Sequence, residues 1–82
     1  MKRILLTGLS PATTEAAVRS WLSGYGSVVG VDLVRDGSAA TPVAVVDMDI
    51  SDGEAFFIVS RISNFWHEGA LVSARLLPHG QS

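Results

Sequence analysis

Cysteine is absent from this sequence, and charged residues are scarce in it. The lack of cysteine excludes disulfides and metal sites built from thiolates. Charged residues make up 17% of the chain, and eight acidic residues outnumber six basic ones. The sequence therefore lacks the strongly basic composition that supplies most of the non-specific affinity of nucleic-acid-binding proteins.

Long apolar runs are also missing. No segment approaches the roughly 20 apolar residues that a membrane-spanning helix needs. The charged N-terminus is followed by only three apolar residues, Ile4-Leu5-Leu6, whereas a secretory signal needs an apolar region of roughly 7–15 residues. We therefore expect a cytoplasmic protein that does not enter a membrane.

The residues that are present are typical of one small globular domain. Hydrophobic residues make up 48% of the 82 residues. A domain of this size buries only about 60–65% of the surface of its unfolded chain, so one core fits and a separate deep cavity does not. We expect a single domain over 1–82, ordered over about 3–77, with a frayed tail at 78–82.

Hydrophobic periodicity predicts two helices. The first begins after a candidate N-cap, Thr14, continues with apolar residues at spacings of three and four, and stops at Gly24 and Gly26. The second begins after Ser51 or Asp52 and has the clearer apolar stripe. The residues of that stripe are Ala55, Ile58, Val59 and Ile62.

Four segments have the composition of β-strands. They are 3–6, 28–34, 43–50 and 70–77, with a loop expected at 64–69. The turn signal Asp36-Gly37-Ser38 separates the second strand from the third. The order β-α-β-β-α-β predicts an α+β ferredoxin-like sandwich, in which both helices cover one face of a four-stranded antiparallel sheet.

Short motifs in three of these elements match one family pattern. Ile4 to Leu9 falls at a first-strand hexamer, Thr14-Glu15 through Tyr25-Gly26 follows a first-helix pattern, and Gly69 precedes alternating apolar residues of the last strand. The apolar spacing of the second helix matches as well. In these features the chain resembles the RNA recognition motif family over nearly its whole length. The resemblance implies the βαββαβ fold and RNA binding by the sheet face that the helices leave uncovered.

The aromatic rings that this family stacks on bases are missing. The third-strand octamer K/R-G-F/Y-G/A-F/Y-V-x-F/Y corresponds here to residues 41–48. Val43 and Val45 replace its two central aromatic residues, and Thr41 replaces its basic first residue. The ring of the first-strand hexamer is replaced by Leu5. Because a base on an aromatic ring contributes about 1–3 kcal/mol, the resemblance implies the fold better than the usual RNA chemistry.

Strand alternation predicts which side chains lie on the uncovered face. The residues expected to face the helices are Ile4, Leu6, Val31, Leu33, Ala44, Val46, Met48, Val72 and Ala74. The residues expected to face outward are Leu5, Thr7, Asp32, Val34, Val43, Val45, Asp47, Leu71, Ser73 and Arg75. The outward set contains an aliphatic patch with a polar rim, a pattern that usually marks an interaction site.

Our leading hypothesis is binding of RNA or single-stranded nucleic acid by this face, with weak affinity and little sequence preference. The predicted nucleic-acid-binding residues are Arg3, Leu5, Thr7, Arg35, Val43, Val45 and Arg75. The arginines would contact phosphates, and the aliphatic side chains would pack against bases or sugars. The alternative is a protein-interaction or dimerisation module, which the missing rings and the acidic balance favour.

Other aromatic residues are candidates for a protein contact. They are Phe56, Phe57, Phe65 and Trp66. We expect one of the two helical phenylalanines to wrap onto the core edge, whereas exposure of both would indicate a contact on the helix side. We expect the loop from Phe65 to His67 to close one end of the core, since large aromatic residues are mostly buried. The alternative for this loop is an aromatic anchor for a partner.

No pattern in the sequence indicates catalysis, a cofactor or a metal. His67 and His79 have no partner at ligand spacing, and no phosphate-binding G-x-x-x-x-G-K-[ST] motif is present. An acylphosphatase-like hydrolase on this architecture would need an Arg–Asn constellation near the loop after the first strand, where the chain has Gly8 to Pro11. We therefore expect a protein that is not an enzyme and that needs no cofactor or metal.

Overall fold

The computed structural model describes residues 1–35, 42–67 and 69–78. The predicted turn at 36–38, the octamer position Thr41, His79 and the end of the predicted tail lie outside the described residues. The elements in chain order are β1 (Lys2–Thr7), α1 (Glu15–Leu22), β2 (Ser27–Val34), β3 (Val43–Asp49), α2 (Asp52–Arg61), β4 (Phe65–His67) and β5 (Ala70–Leu77). Within this part of the chain no helix is long and apolar enough to cross a bilayer.

The strands form one antiparallel sheet in the order β2-β3-β1-β5-β4. The predicted α+β architecture, with two helices and an antiparallel sheet, is confirmed, but the predicted number of four strands was wrong. The segment expected as a loop contains a fifth strand, in which Trp66 pairs with Leu71 of β5. Gly69 lies between the two strands with a φ of 80°, a conformation that glycine adopts at no steric cost. A strand of three residues is too short to give a periodic signal.

Both helices begin at caps that the sequence predicted. The Thr14 hydroxyl accepts a hydrogen bond from the Ala17 N–H at 3.1 Å. In α2 the Ser51 hydroxyl accepts from the Glu54 N–H at 3.1 Å, and the Glu54 carboxylate accepts from the Ser51 N–H at 2.8 Å. This reciprocal capping box satisfies backbone donors that a helix start leaves unpaired.

An ion pair links the first turn of α2 to β1. Lys2 pairs with Asp52, and the hydrogen bond from Lys2, followed by its charge, lowers the pKa of Asp52 below its ordinary value. Both side chains lie at the surface, where such pairs contribute little to stability.

The hydrophobic core lies between the helices and one face of the sheet. The fully buried sheet residues are Ile4, Leu6, Ala44, Val46, Met48 and Val72. The buried helical residues are Val18, Leu22, Ala55 and Ile58, and Ile62 at the C-terminal cap of α2 is buried with them. The other three residues predicted to face inward, Val31, Leu33 and Ala74, are partly buried and pack against this core. The predicted alternation is therefore confirmed, and the opposite face of the sheet carries no helix.

The end of β1 meets the backbone of β5 at a glycine. Gly8 has a φ of 82°, and a Cβ atom added there would lie 2.3 Å from the Leu71 carbonyl oxygen. Only a residue without a side chain allows this approach. The contact places the start of β5, and the β4 strand paired with it, directly beyond the end of β1.

Candidate functional site

The sheet surface opposite the helices, here called the free face, has an aliphatic centre. Leu5 of β1 lies directly opposite Val45 of β3 on one side and Arg75 of β5 on the other, and Val45 lies opposite Asp32 of β2. Opposite residues of antiparallel strands share a face. A row from Asp32 through Val45 and Leu5 to Arg75 therefore crosses four strands, with its two aliphatic side chains between opposite charges.

A second row on the free face carries an ion pair. Arg3 lies opposite Asp47, and the Arg3 Nε donates to Asp47 Oδ1 at 2.9 Å. This hydrogen bond, followed by the carboxylate charge, raises the pKa of Arg3 above its ordinary value. Arg3 stays charged in either case. For binding, this means that one N–H donor of the Arg3 guanidinium is already bonded to a carboxylate.

A shallow depression lies beside this ion pair, lined by Arg3, Gly30, Val31, Asp32, Val45 and Asp47. It exists because Gly30 has no side chain and a Cβ added there would meet nothing within 4 Å. The pairing of β2 with β3 shifts register between Val28 and Gly30, which is a β-bulge. The bulge leaves Val29 at the edge of the sheet, 51% exposed.

The three predicted phosphate-binding arginines lie in different surroundings. The Arg35 guanidinium donates to the carbonyl oxygens of Pro11 at 2.8 Å and Thr13 at 2.5 Å, so it is held against the loop that joins β1 to α1. Arg75 is exposed, and no hydrogen bond or ion pair involves it within the described part of the chain. The structure thus brings Arg3 and Arg75 together with Leu5 on the free face and holds Arg35 elsewhere.

The free face continues toward the edge of the sheet. Thr7 lies opposite Ser73, and Val43 lies opposite Val34. Both Thr7 and Val43 are half-buried. They extend the surface from its aliphatic centre toward the end of β1, where β5 begins and pairs with β4.

The aromatic segment of β4 is divided between the two sides of its hairpin. Phe65 and His67 face the helices, where their rings stack on Trp21 with centroid distances of 6.0 and 3.8 Å. Trp66 lies between them in sequence and is 68% exposed. The expected role of closing the core is therefore confirmed for Phe65 and His67, but it was wrong for Trp66. The alternation of β4 separates them once the strand is known, but three residues are too few for the sequence to show it.

Both phenylalanines of α2 are exposed. Phe56 and Phe57 are 73% and 57% exposed, and the Phe57 ring approaches only the rim of the core, where its centroid lies 6.3 Å from that of Tyr25. We expected one of the two rings to wrap onto the core edge, and Phe57 reaches that edge at Tyr25 while both rings stay mostly exposed. Ala55 and Ile58 occupy the inward direction of the helix, and successive residues are rotated by about 100°, which turns 56 and 57 toward solvent.

The family model described as the RNA recognition motif matches residues 4–54, which is more than half of the chain. The chain belongs to the RNA recognition motif family. Within this RNA recognition motif (RRM), the positions that usually carry rings are Leu5, Val43 and Val45, and all three lie half-buried on the free face. Comparison with curated protein sequences gives no match.

Solved structures agree with this assignment at the level of the fold. The Pes4 RRM3 structure has a TM-score of 0.83 and 17% identity, with 100% of this chain and 98% of that chain covered. The Rna15 RRM with bound RNA (GU) has a TM-score of 0.73 and 12% identity, with 89% and 79% covered. The Sex-lethal RNA recognition domains 1 and 2 from Drosophila melanogaster have a TM-score of 0.73 and 12% identity, with 90% and 48% covered.

Proposed function

We propose that this RRM binds RNA, or another single-stranded nucleic acid, weakly and with little sequence preference through its free face. The observation that carries the proposal is the row in which Leu5 and Val45 lie uncovered beside Arg75. Aliphatic contact area next to a cation that has no partner among the described residues suits a base or sugar followed by a phosphate. Membership of the family and the RNA bound by the Rna15 neighbour support the same ligand.

Low affinity follows from the composition of the free face. Its central strands carry leucine and valine where a ring would contribute about 1–3 kcal/mol per stacked base. Asp32, Asp47 and Asp49 place three carboxylates on the same surface, and Asp47 binds Arg3. A phosphate that contacts Arg3 therefore meets the opposing charge of Asp47, whereas among the described residues Arg75 has no carboxylate bound to it. Without hydrogen-bonding side chains at the centre, base identity is poorly discriminated.

The proposal describes a binding domain that does no chemistry. The free face offers contact area and positive charge, and its shallow depression is open to solvent and does not enclose a reacting group. Among the described residues its ionisable side chains are Arg3, Asp32, Asp47, Asp49 and Arg75, which include neither a nucleophile nor a base with an orienting partner. No cofactor is required for binding of this kind.

An RNA titration followed by backbone amide chemical shifts tests the proposal. With a short RNA of mixed sequence at low salt, we expect shift changes at Arg3, Leu5, Val45 and Arg75, weakening as salt is raised. Val45→Asp should abolish them, because it places a carboxylate at the centre of the contact. Val29→Asp, the same substitution at the exposed bulge, is the matched control. Absence of shift changes at millimolar RNA and low salt would overturn the proposal.

A second candidate function is protein interaction or dimerisation, which the exposure of Phe56 and Phe57 favours. Two neighbouring exposed rings form an apolar patch of the kind found at protein contacts. Sedimentation velocity on the wild-type chain would show self-association. If α2 is the contact, Phe56→Ser with Phe57→Ser removes it, whereas Val45→Asp removes it only if the free face is the contact. A monomer at all accessible concentrations would refute dimerisation.

A further inference from the structure

We propose that Trp66, at the rim of the free face, is the residue of this domain that stacks on a base of a bound single strand. The inference rests on the proposed function and adds to it the aromatic contact that the central strands lack. It assigns that contact to β4, a strand outside the βαββαβ order. The site consists of Trp66, with Leu71 beside it on β5.

The pairing of β4 with β5 places the indole on the correct side of the sheet. Trp66 lies opposite Leu71, and Leu71 alternates along β5 with Ser73 and Arg75, which lie on the free face opposite Thr7 and Leu5. The neighbours of Trp66 in β4 supply independent evidence, because their rings stack on Trp21 of α1 on the helix side. The indole therefore points away from the helices.

The indole is also free to receive a ligand. It is 68% exposed, and Leu71 beside it is 47% exposed. Within the described residues Trp66 takes part in no ring contact, whereas Trp21, the other tryptophan, is half-buried between α1 and β4. An exposed indole is a stacking platform for any base, since every base has a π-face, and such a contact strengthens binding by about 5- to 150-fold.

Arg75 provides a phosphate contact from which a bound nucleic acid can reach the Trp66 indole. Alternate residues of β5 on the free face are about 6.6 Å apart, so Arg75, Ser73 and Leu71 form a line about 13 Å long that ends beside Trp66. A single-stranded nucleic acid whose phosphate contacts Arg75 can run along β5 to the indole of Trp66. The exposed rings of α2 lack this advantage, because they lie on the helix side of the sheet, whereas Arg75 lies on the free face.

Fluorescence isolates the proposed contact. In a Trp21→Phe background Trp66 is the sole tryptophan, so a stacked base should quench the emission in a saturable manner as RNA is added at low salt. An oligomer of the same length with abasic sugars is the ligand control and should not quench. Quenching of equal size by the abasic oligomer would overturn stacking.

Affinity measurements complete the test. Trp66→Ala should weaken RNA binding by about 5- to 150-fold and Trp66→Phe by much less, while Phe56→Ala, an equally exposed ring on α2, should leave binding unchanged. Circular dichroism checks that each variant is folded. If RNA shifts Leu5 and Arg75 but Trp66→Ala binds within twofold of the wild type, the role of Trp66 is refuted and the proposed function stands. If RNA binds to no variant and not to the wild type, both fail.

Discussion

On the free face, the side chains of Arg3 and Asp47 form an ion pair. The 2.9 Å hydrogen bond between them lies at the surface, with the arginine side chain 53% exposed and the aspartate 31% exposed. Exposed pairs of this kind contribute about 0–1 kcal/mol, so the pair can open at little cost. The pair matters for function because, once it opens, Arg3 is available to contact a phosphate.

Replacing the carboxylate of that pair should strengthen nucleic-acid binding. Asp47→Asn removes one negative charge from the free face and leaves Arg3 at most a neutral acceptor, so we expect RNA affinity at low salt to rise by about 2- to 5-fold, as about 0.5–1 kcal/mol of exposed charge interaction implies. Amide-shift titration measures the change. Glu15→Gln removes the same charge from α1 and should have no such effect. An equal gain from both variants would contradict a role for the free face.

Gly8 should be the glycine least tolerant of substitution among those the structure describes. Gly8→Ala forces a residue with a side chain into positive φ and places its Cβ 2.3 Å from the Leu71 carbonyl oxygen. We therefore expect the free energy of unfolding to fall by at least about 1–3 kcal/mol. Urea denaturation measures it. Gly30→Ala, where an added Cβ meets nothing, is the control and should change stability by less than about 0.5 kcal/mol.

At the scale of elements, α2 depends on its N-terminal capping box. Ser51 and Glu54 satisfy each other's backbone N–H groups, and the helix then carries the buried Ala55 and Ile58 into the core. Loss of the cap would fray the turn that positions this packing.

Removing the cap should destabilise the fold measurably. Ser51→Ala should lower the free energy of unfolding by about 1 kcal/mol, as measured by urea denaturation. Ser60→Ala, an exposed position near the other end of α2, should leave stability unchanged or raise it by about 0.5 kcal/mol, since alanine has the higher helix propensity. Equal effects at both positions would show that the capping box contributes nothing.

At the scale of the whole molecule, charge limits how RNA can be held. The chain has a net charge of −2, and two of its arginines, Arg3 and Arg75, lie on the free face. Arg35 is bound to the carbonyl oxygens of the loop between β1 and α1. Electrostatic attraction therefore comes from a small part of the surface and not from the domain as a whole.

Binding should consequently depend only moderately on salt. Each phosphate contact to a single strand adds about −0.7 to the slope of log K against log salt, so contacts from Arg3 and Arg75 predict a slope of about −1.4. Fluorescence titrations at four or five salt concentrations give this value. Arg75→Gln should reduce the slope by about half, and Arg35→Gln should leave it unchanged. A slope steeper than about −3 would mean that basic residues elsewhere on the protein contact RNA.

The sequence was sufficient for the parts of the fold that depend on local geometry. The period of two along β3 and β5 placed Ala44, Val46, Met48, Val72 and Ala74 on the covered face, because successive strand side chains point to opposite faces. Thr14 and Ser51 marked the helix starts because a cap bonds to an N–H only three residues away. The resemblance to the family's strand motifs showed that Leu5, Val43 and Val45 stand where rings are usual, and the same alternation placed these residues on the uncovered face.

The tertiary structure decided what these residues meet. Arg35 bonds to carbonyl oxygens more than twenty residues away, and Trp66 reaches the rim of the free face because β4 pairs with β5 and Trp21 takes the rings on either side of it. Alternation and capping act over a few residues, so the sequence by itself determined them. Contacts between distant segments depend on how whole elements pack, so only the folded chain selects which arginine is free and which ring is exposed.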